Sequence, residues 1–178
     1  MSVPNVHHWF AGEEFNAARM NEIGDVIKWL RNPPMVHVAR RSTGQSITSN
    51  TWTKISFDTL FNSYDPYGFF DAGSPDKITI TEPGWYSCEI RIAMGTATDT
   101  RVIMGLYKNG FTSSELLLRY DQPTVPSAPN NTMRKETNLF FNAGDWMHLG
   151  IFCDGASFTT ANPSDGECCA LRVRWVSN

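Results

Sequence analysis

Trp85-Tyr-Ser-Cys-Glu-Ile-Arg-Ile-Ala-Met94 alternates without a break: Tyr86, Cys88, Ile90, Ile92 and Met94 fall on one side of an extended chain, and Ser87, Glu89 and Arg91 on the other. A period of two is the geometry of a β-strand with one face on a core and one toward water. The pattern recurs on both sides of this stretch. Upstream, residues 35–41 and 51–57 read as strands, joined across the polar turn 42–45, and the short strand 77–81 is stopped by Pro83-Gly84. Downstream, residues 101–107 bury Val102, Met104 and Leu106 and end in Lys108-Asn109-Gly110, a strong hairpin signal. Further strands are predicted over 115–120, 132–141, 146–153 and 168–176, with Asn142-Ala-Gly-Asp145 as a turn. The last of them turns Cys169, Leu171, Val173 and Trp175 to one side and Arg172 and Arg174 to the other. Residues 122–131, with Pro123, Pro126 and Pro129, read as a surface loop. Many short strands between turn signals predict an all-β sandwich or jelly roll.

Composition agrees. Aromatic residues make up 12% of the 178 positions and charged ones only 19%, below the roughly 25% usual for a soluble domain. The 41% hydrophobic content excludes disorder of the whole chain. A net charge of −3 supplies no general attraction to nucleic acid, so no nucleic-acid partner is expected. No apolar run approaches the roughly 20 residues needed to span a bilayer, so no membrane insertion is expected either. The opening nine residues lack a basic segment followed by an apolar one, and no signal peptide is read there. Cys88, Cys153, Cys168 and Cys169 match neither a C-x-x-C pair nor a zinc ribbon, which favours reduced, half-buried thiols in a protein made in a cytosol; a disulfide involving Cys88 or Cys153 stays open.

Residues 1–34 follow a different rule. From Glu13 to Arg31 good helix formers dominate, with acidic residues first and basic ones last, which complements the helix dipole. Met20, Ile23, Ile27 and Leu30 are spaced 3-4-3, a narrow seam of the a/d type with Asn16 one step earlier, and Pro33-Pro34 ends the helix. A seam of about two heptads is unstable alone in water. It needs the rest of the chain, identical copies, or a larger assembly. The chain therefore divides into an arm and attachment helix over 1–34 and a β head over 35–178.

The run Phe57-x3-Phe61-Asn62-x-Tyr64-Asp65-x2-Gly68-x-Phe70, then Ile80-x2-Pro83-Gly84-Trp85-Tyr86, resembles the tumour-necrosis-factor-like jelly roll of complement q-type heads. Leu106-x-Lys108-Asn109-Gly110 and Asn142-Ala-Gly-Asp145-Trp146 resemble two turns of that family. The closing segment departs from it: Cys169-Ala-Leu-Arg-Val-Arg-Trp175 stands where the family has an aromatic-Ser-Gly segment. The resemblance, over residues 35–178, implies a TNF-like jelly-roll sandwich and a homotrimer about a threefold axis; with the helix read above, the expected fold is that sandwich preceded by a short N-terminal α-helix. Trp9-Phe-Ala-Gly-Glu13-x4-Ala18-x-Met20-Asn21, continuing to Ile27-x-Trp29-Leu30-x-Asn32-Pro33-Pro34, is similar to the openings of tailed-bacteriophage virion proteins. That likeness implies a virion protein, assembled in the host cytoplasm, whose partners are capsid or tail proteins. Trp9, Phe10, Phe15, Met20, Ile23, Ile27 and Leu30 are its candidate attachment and trimer residues.

Catalytic patterns are absent from the sequence. His37 and His148 have no second ligand at metal spacing on their own strands, the family's calcium sites find no matching acidic cluster, and no Gly-x-Ser-x-Gly or Gly-Lys-Ser/Thr occurs. A non-enzymatic protein without metal or cofactor is expected. Trp52, Tyr64, Tyr67 and Phe69, beside Phe70, Asp65 and Asp71, are candidate ligand or interface aromatics, because rings and carboxylates together bind sugars and rings alone fill cores. Three functions compete: a surface-displayed structural protein, a tail fibre or minor tail protein binding a host-surface glycan or protein, and a depolymerase. The last has no identifiable catalytic set.

Overall fold

The computed structural model describes residues 17–95, 100–125, 131–161 and 169–177. The chain runs through α1 (Ala17–Arg31), β1 (Met35–Arg40), β2 (Ser46–Ile47), β3 (Thr53–Lys54), β4 (Thr59–Leu60), β5 (Ile78–Thr79) and β6 (Gly84–Ala93). It continues through β7 (Thr100–Lys108), β8 (Leu116–Val125), β9 (Thr132–Phe141), β10 (Trp146–Asp154), β11 (Phe158–Thr159) and β12 (Cys169–Ser177). One sheet has the order β4-β1-β12-β6-β9; the other has β3-β10-β7-β8, with β5 also on β10, and β2 pairs with β11. All these pairings are antiparallel.

Alternation places the core between the sheets. Tyr86, Cys88, Ile90 and Ile92 from β6 meet Met147, Leu149 and Ile151 from β10 and Val102, Met104 and Leu106 from β7, all fully buried. Burying one such side chain is worth roughly 1.5–3 kcal/mol, so these alternating faces dominate the stability. Cys88 and Cys153 are free thiols, and Cys88, Cys153 and Cys169 are all buried inside this core rather than half-buried. Burial pushes the Cys88 thiol up to about 12, which leaves it inert. Cys168 lies outside the described residues.

Two expected boundaries move, each for a visible reason. The strand expected over 51–57 is reduced to β3, because Ile55 donates to the Leu149 carbonyl and Phe57 then donates to Pro75 instead of continuing along β10. Ile55 and Phe57 nevertheless stay buried. The loop expected over 122–131 begins as strand: β8 continues to Val125, pairing Gln122 with Val102 and Val125 with Thr100 across a register shift. Pro123 falls within that register shift on an edge strand, both places that tolerate proline in a sheet. The loop's residues 126–130 lie outside the described residues.

The short motifs are fold locks. Asp65 accepts hydrogen bonds from the Phe69 and Phe70 N–H groups at 2.9 and 2.8 Å, which drives Phe69 into the core. At Gly84 a β-carbon would lie 2.6 Å from Trp175 Nε1 and 2.8 Å from the Ser177 carbonyl, so only glycine lets β6 approach β12 there. Tyr86 donates its hydroxyl to the Glu82 carbonyl at 2.6 Å. The turns at Asn109 and Asp145 interlock: Asn109 Nδ2 donates to Asp145 Oδ1 at 2.6 Å, Lys108 Nζ lies 2.7 Å from Oδ2, and Trp146 N–H returns a bond to Asn109 Oδ1 at 2.9 Å. Burial alone would raise the Asp145 carboxyl, but the bonds from Asn109 and Lys108 outweigh it and hold it below its usual value.

Asp145→Ala is expected to cost about 2 kcal/mol or more in urea unfolding at neutral pH, since it leaves donors on both turns unpaired. A loss near zero would show that the interlock does not hold the turns. Asp58 provides a pH test. Burial raises its carboxyl, but hydrogen bonds from the Ser42 hydroxyl, the Arg41 and Ser42 N–H groups and the Thr59 hydroxyl prevail and set it at about 2. Its folded value lies below the unfolded 3.8, so its contribution is complete above that pH and disappears as pH falls toward about 2. Asp58→Asn should therefore be less stable than wild type by about 1 kcal/mol at pH 7, the exposure of the site limiting the effect, with the difference closing at the acid end.

Candidate interaction surface

Among the described side chains of helix α1, the one buried against the head is Trp29. Trp29 is only 6% exposed and meets Trp175 edge-on, with ring centroids 4.1 Å apart. Beside it, Trp175 N–H donates to the Pro34 carbonyl at 2.8 Å, which pins the chain just after the helix. The predicted seam takes no part in this docking. Met20, Ile23, Ile27 and Leu30 are 56, 37, 45 and 66% exposed, on a stripe beside the one that carries Val26 and Trp29. Trp9, Phe10, Phe15 and Asn16 lie outside the described residues.

The outward face of the β4-β1-β12-β6-β9 sheet also carries exposed apolar residues. At the end where α1 joins, Trp85 of β6 and Phe140 of β9 are directly opposed and exposed, their rings 5.8 Å apart, and Val176 of β12 is exposed as well. Further along, the same face becomes charged. Glu89 stands opposite Glu136, and Arg91 opposite Arg134. Directly opposed like charges repel, and the diagonal relieves them: Arg134 Nε lies 2.9 Å from Glu89, while Ser87 Oγ donates to Glu136 at 2.5 Å. A cavity of about 210 Å³ opens here between Ser87, Glu89, Arg134, Glu136, Arg172 and Arg174.

A larger cavity, about 570 Å³, lies at the β1/β4 edge of this face, walled by Arg31, Pro33, Met35, His37, Phe61, Asn62, Tyr64 and Arg172. His37 stacks on Phe61 with centroids 4.2 Å apart and planes 14° from parallel, and Arg41 lies 5.1 Å from the Phe61 centroid. Burial and the neighbouring Arg172 hold His37 below its usual value, so it is neutral near pH 7. Asn62 and Ser63 both have φ near +50° (54° and 50°), two successive non-glycine residues in the left-handed region.

The four aromatics grouped in the sequence reading are not one site. Phe69 is 1% exposed and belongs to the core, which removes it from any ligand; Tyr67 packs against that core, and Tyr64 lines the larger cavity. Trp52 lies on the other sheet, in an aromatic cluster that sequence reasoning missed. There Trp52 meets Tyr107 and Phe152, Tyr107 meets Phe111, and His148 sits between Phe111 and Trp146. The outward parity of Trp146, His148 and Phe152 on β10 is the signal that could have found it. Gly150 makes room: a β-carbon there would be 2.8 Å from both the Tyr107 and Phe111 rings. His148 is 3% exposed, with Nδ1 2.5 Å from the Asp76 carbonyl, and His37 and His148 stand on different sheets, so they cannot share a ligand. Among the described residues no group of three His, Cys, Asp or Glu side chains could hold a metal ion.

No protein-family model and no curated protein matches the sequence. Solved structures do match in fold. The chain is similar to murine APRIL at pH 5.0 with a TM-score of 0.58 at 13% identity, covering 80% of this chain and 98% of that one. It is similar to the globular domain of zebrafish complement 1qA protein, with a TM-score of 0.58, 15% identity, and 82% and 98% covered. Eiger TNF from S. frugiperda aligns with a TM-score of 0.56 at 16% identity over 81% and 93%. The chain has the TNF/C1q-like jelly-roll fold.

Trp29→Ala removes the side chain that docks α1 and should speed protease cleavage within residues 17–34 by about tenfold or more, with the head left intact. Unchanged cleavage would mean that other contacts hold the helix.

Proposed function

We propose that this chain is a non-enzymatic structural protein of a bacteriophage virion, a homotrimer anchored to the particle by residues 1–34 and displaying its jelly-roll head as a capsid decoration or head fibre. The exposed seam carries this reading. Met20, Ile23, Ile27 and Leu30 are held in water by a helix whose docking uses other residues. Three copies about a common axis would bury the seam, and with it Trp85, Phe140 and Val176 at the adjoining end of the sheet. The TNF/C1q-like fold supports threefold association, and the likeness of residues 9–34 to tailed-phage openings supports the particle. Asp58, Asp65 and Asp145 are engaged in turns, where they accept from backbone N–H groups, and His148 is packed against Asp76.

A second reading, a tail fibre or minor tail protein that binds a host-surface glycan or protein, is favoured by the open cavity beside His37 and Arg172. Electron microscopy of labelled particles distinguishes the two, since label over the capsid means decoration and label at the tail tip means receptor binding.

Sedimentation at micromolar concentration should show a trimer, and Ile23→Asp with Ile27→Asp should shift it to monomer. A monomeric wild type would overturn the interface. Deleting residues 1–34 should abolish attachment to particles and leave a folded head, because a sandwich of about 140 residues buries its own core.

A further inference from the structure

The larger cavity has an unusual wall. Arg31 comes from the end of α1, His37 from β1, Phe61, Asn62 and Tyr64 from the turn after β4, and Arg172 from β12. None of the residues lining it is acidic. Among the described residues, neither Arg31 nor Arg172 takes part in an ion pair or a hydrogen bond. Arg172 stands opposite Glu89 and also lines the neighbouring cavity with Glu89 and Glu136, but the wall of the larger cavity holds two guanidiniums and no carboxylate. Such a wall makes a site for an anion, and the planar forks suit a carboxylate. The space is too large for a bare inorganic anion. About 570 Å³ is within the roughly 300–1,000 Å³ range of small-molecule sites.

The remaining wall suits a ring that carries hydroxyls. Asn62 offers an amide, with both a donor and an acceptor, and Tyr64 a phenol hydroxyl that can donate and accept. Pro33 and Met35 supply an apolar patch for the C–H face of a sugar. The two left-handed residues, Asn62 and Ser63, are held by a turn in which Tyr64 N–H donates to the Phe61 carbonyl at 3.2 Å. Backbone held in that region costs about 1–3 kcal/mol, and it fixes the direction in which the Asn62 side chain leaves the turn.

We propose that this cavity binds a carboxylate-bearing sugar, its carboxylate held between Arg31 and Arg172 and its hydroxyls by Asn62 and Tyr64. The site is built by one copy of the chain and does not depend on where on a particle, or in what oligomer, that copy sits.

The test is calorimetric titration of the full chain with galacturonic acid and N-acetylneuraminic acid, with galactose and inorganic phosphate as comparators. At least one acidic sugar should bind, with galactose and phosphate each about tenfold weaker or more. Arg172→Gln and Arg31→Gln should each weaken the acidic sugar about tenfold or more at an unchanged melting midpoint, while Arg174→Gln, in the neighbouring cavity, should bind like wild type. If Arg172→Gln lowers the melting midpoint, Arg31→Gln, on the exposed helix end, decides alone. Absence of binding by either acidic sugar up to about 10 mM, phosphate binding as tightly as the sugar, or full affinity in Arg31→Gln would each overturn the proposal. Sedimentation of the same sample reads the oligomeric state separately, so a monomer that binds acidic sugar refutes the trimer and not this site.

Discussion

Strand β12 is hydrogen-bonded along both edges, to β1 over Met35–Arg40 and to β6 from Ala170 to Ser177. The last strand of the chain thereby holds the first strand of the head in place, which a local hairpin cannot do. Its inward residues Leu171 and Val173 are fully buried in the core, its outward Arg172 and Arg174 face solvent, and Trp175 receives Trp29 from the helix. Core, outward face and helix docking all depend on this one insertion. A pairing between the two ends of a domain is among the most expensive in loop entropy, and the buried faces on either side of β12 are what make it favourable.

The outward face is divided along its length, and the division has a physical basis. Near the helix it is apolar, through Trp85, Phe140 and Val176; away from it the face is charged, with like charges facing across strands and opposite charges meeting on the diagonal. An apolar end suits close, dry contact, whereas the charged part favours register and discrimination more than affinity. Helix α1 leads into the sheet at the apolar end. The cavity at the β1/β4 edge lies at the side, where a ligand can reach it from solvent.

The motifs that carry the family resemblance turn out to be chemistry spent on folding. Asp65 positions Phe69 and Phe70 by accepting one backbone hydrogen bond from each, Gly84 lets two strands approach, and Asn109 and Asp145 join two turns far apart in sequence. That is why they are legible in a single chain: each needs particular residue types at fixed local spacing. Asp65 looked like a sugar-binding carboxylate for the same reason it makes a turn, since a short side chain with two acceptors suits both.

Alternation in the sequence by itself determined the strands, their buried sides and the all-β class, because a period of two admits one pleated geometry with one apolar face. It also determined the helix seam and where the helix stops, since helical spacing and Pro33-Pro34 act locally. Only the tertiary structure decided that the seam stays in water while Trp29 does the docking, because that depends on Trp175, almost the full chain length away. It alone separated Trp52, Tyr64, Tyr67 and Phe69, and it alone gathered Arg31, His37, Asn62, Tyr64 and Arg172 around one space. Those residues share no periodicity and no spacing. What brings them together is the antiparallel insertion of β12 beside β1, a long-range pairing that no local pattern encodes.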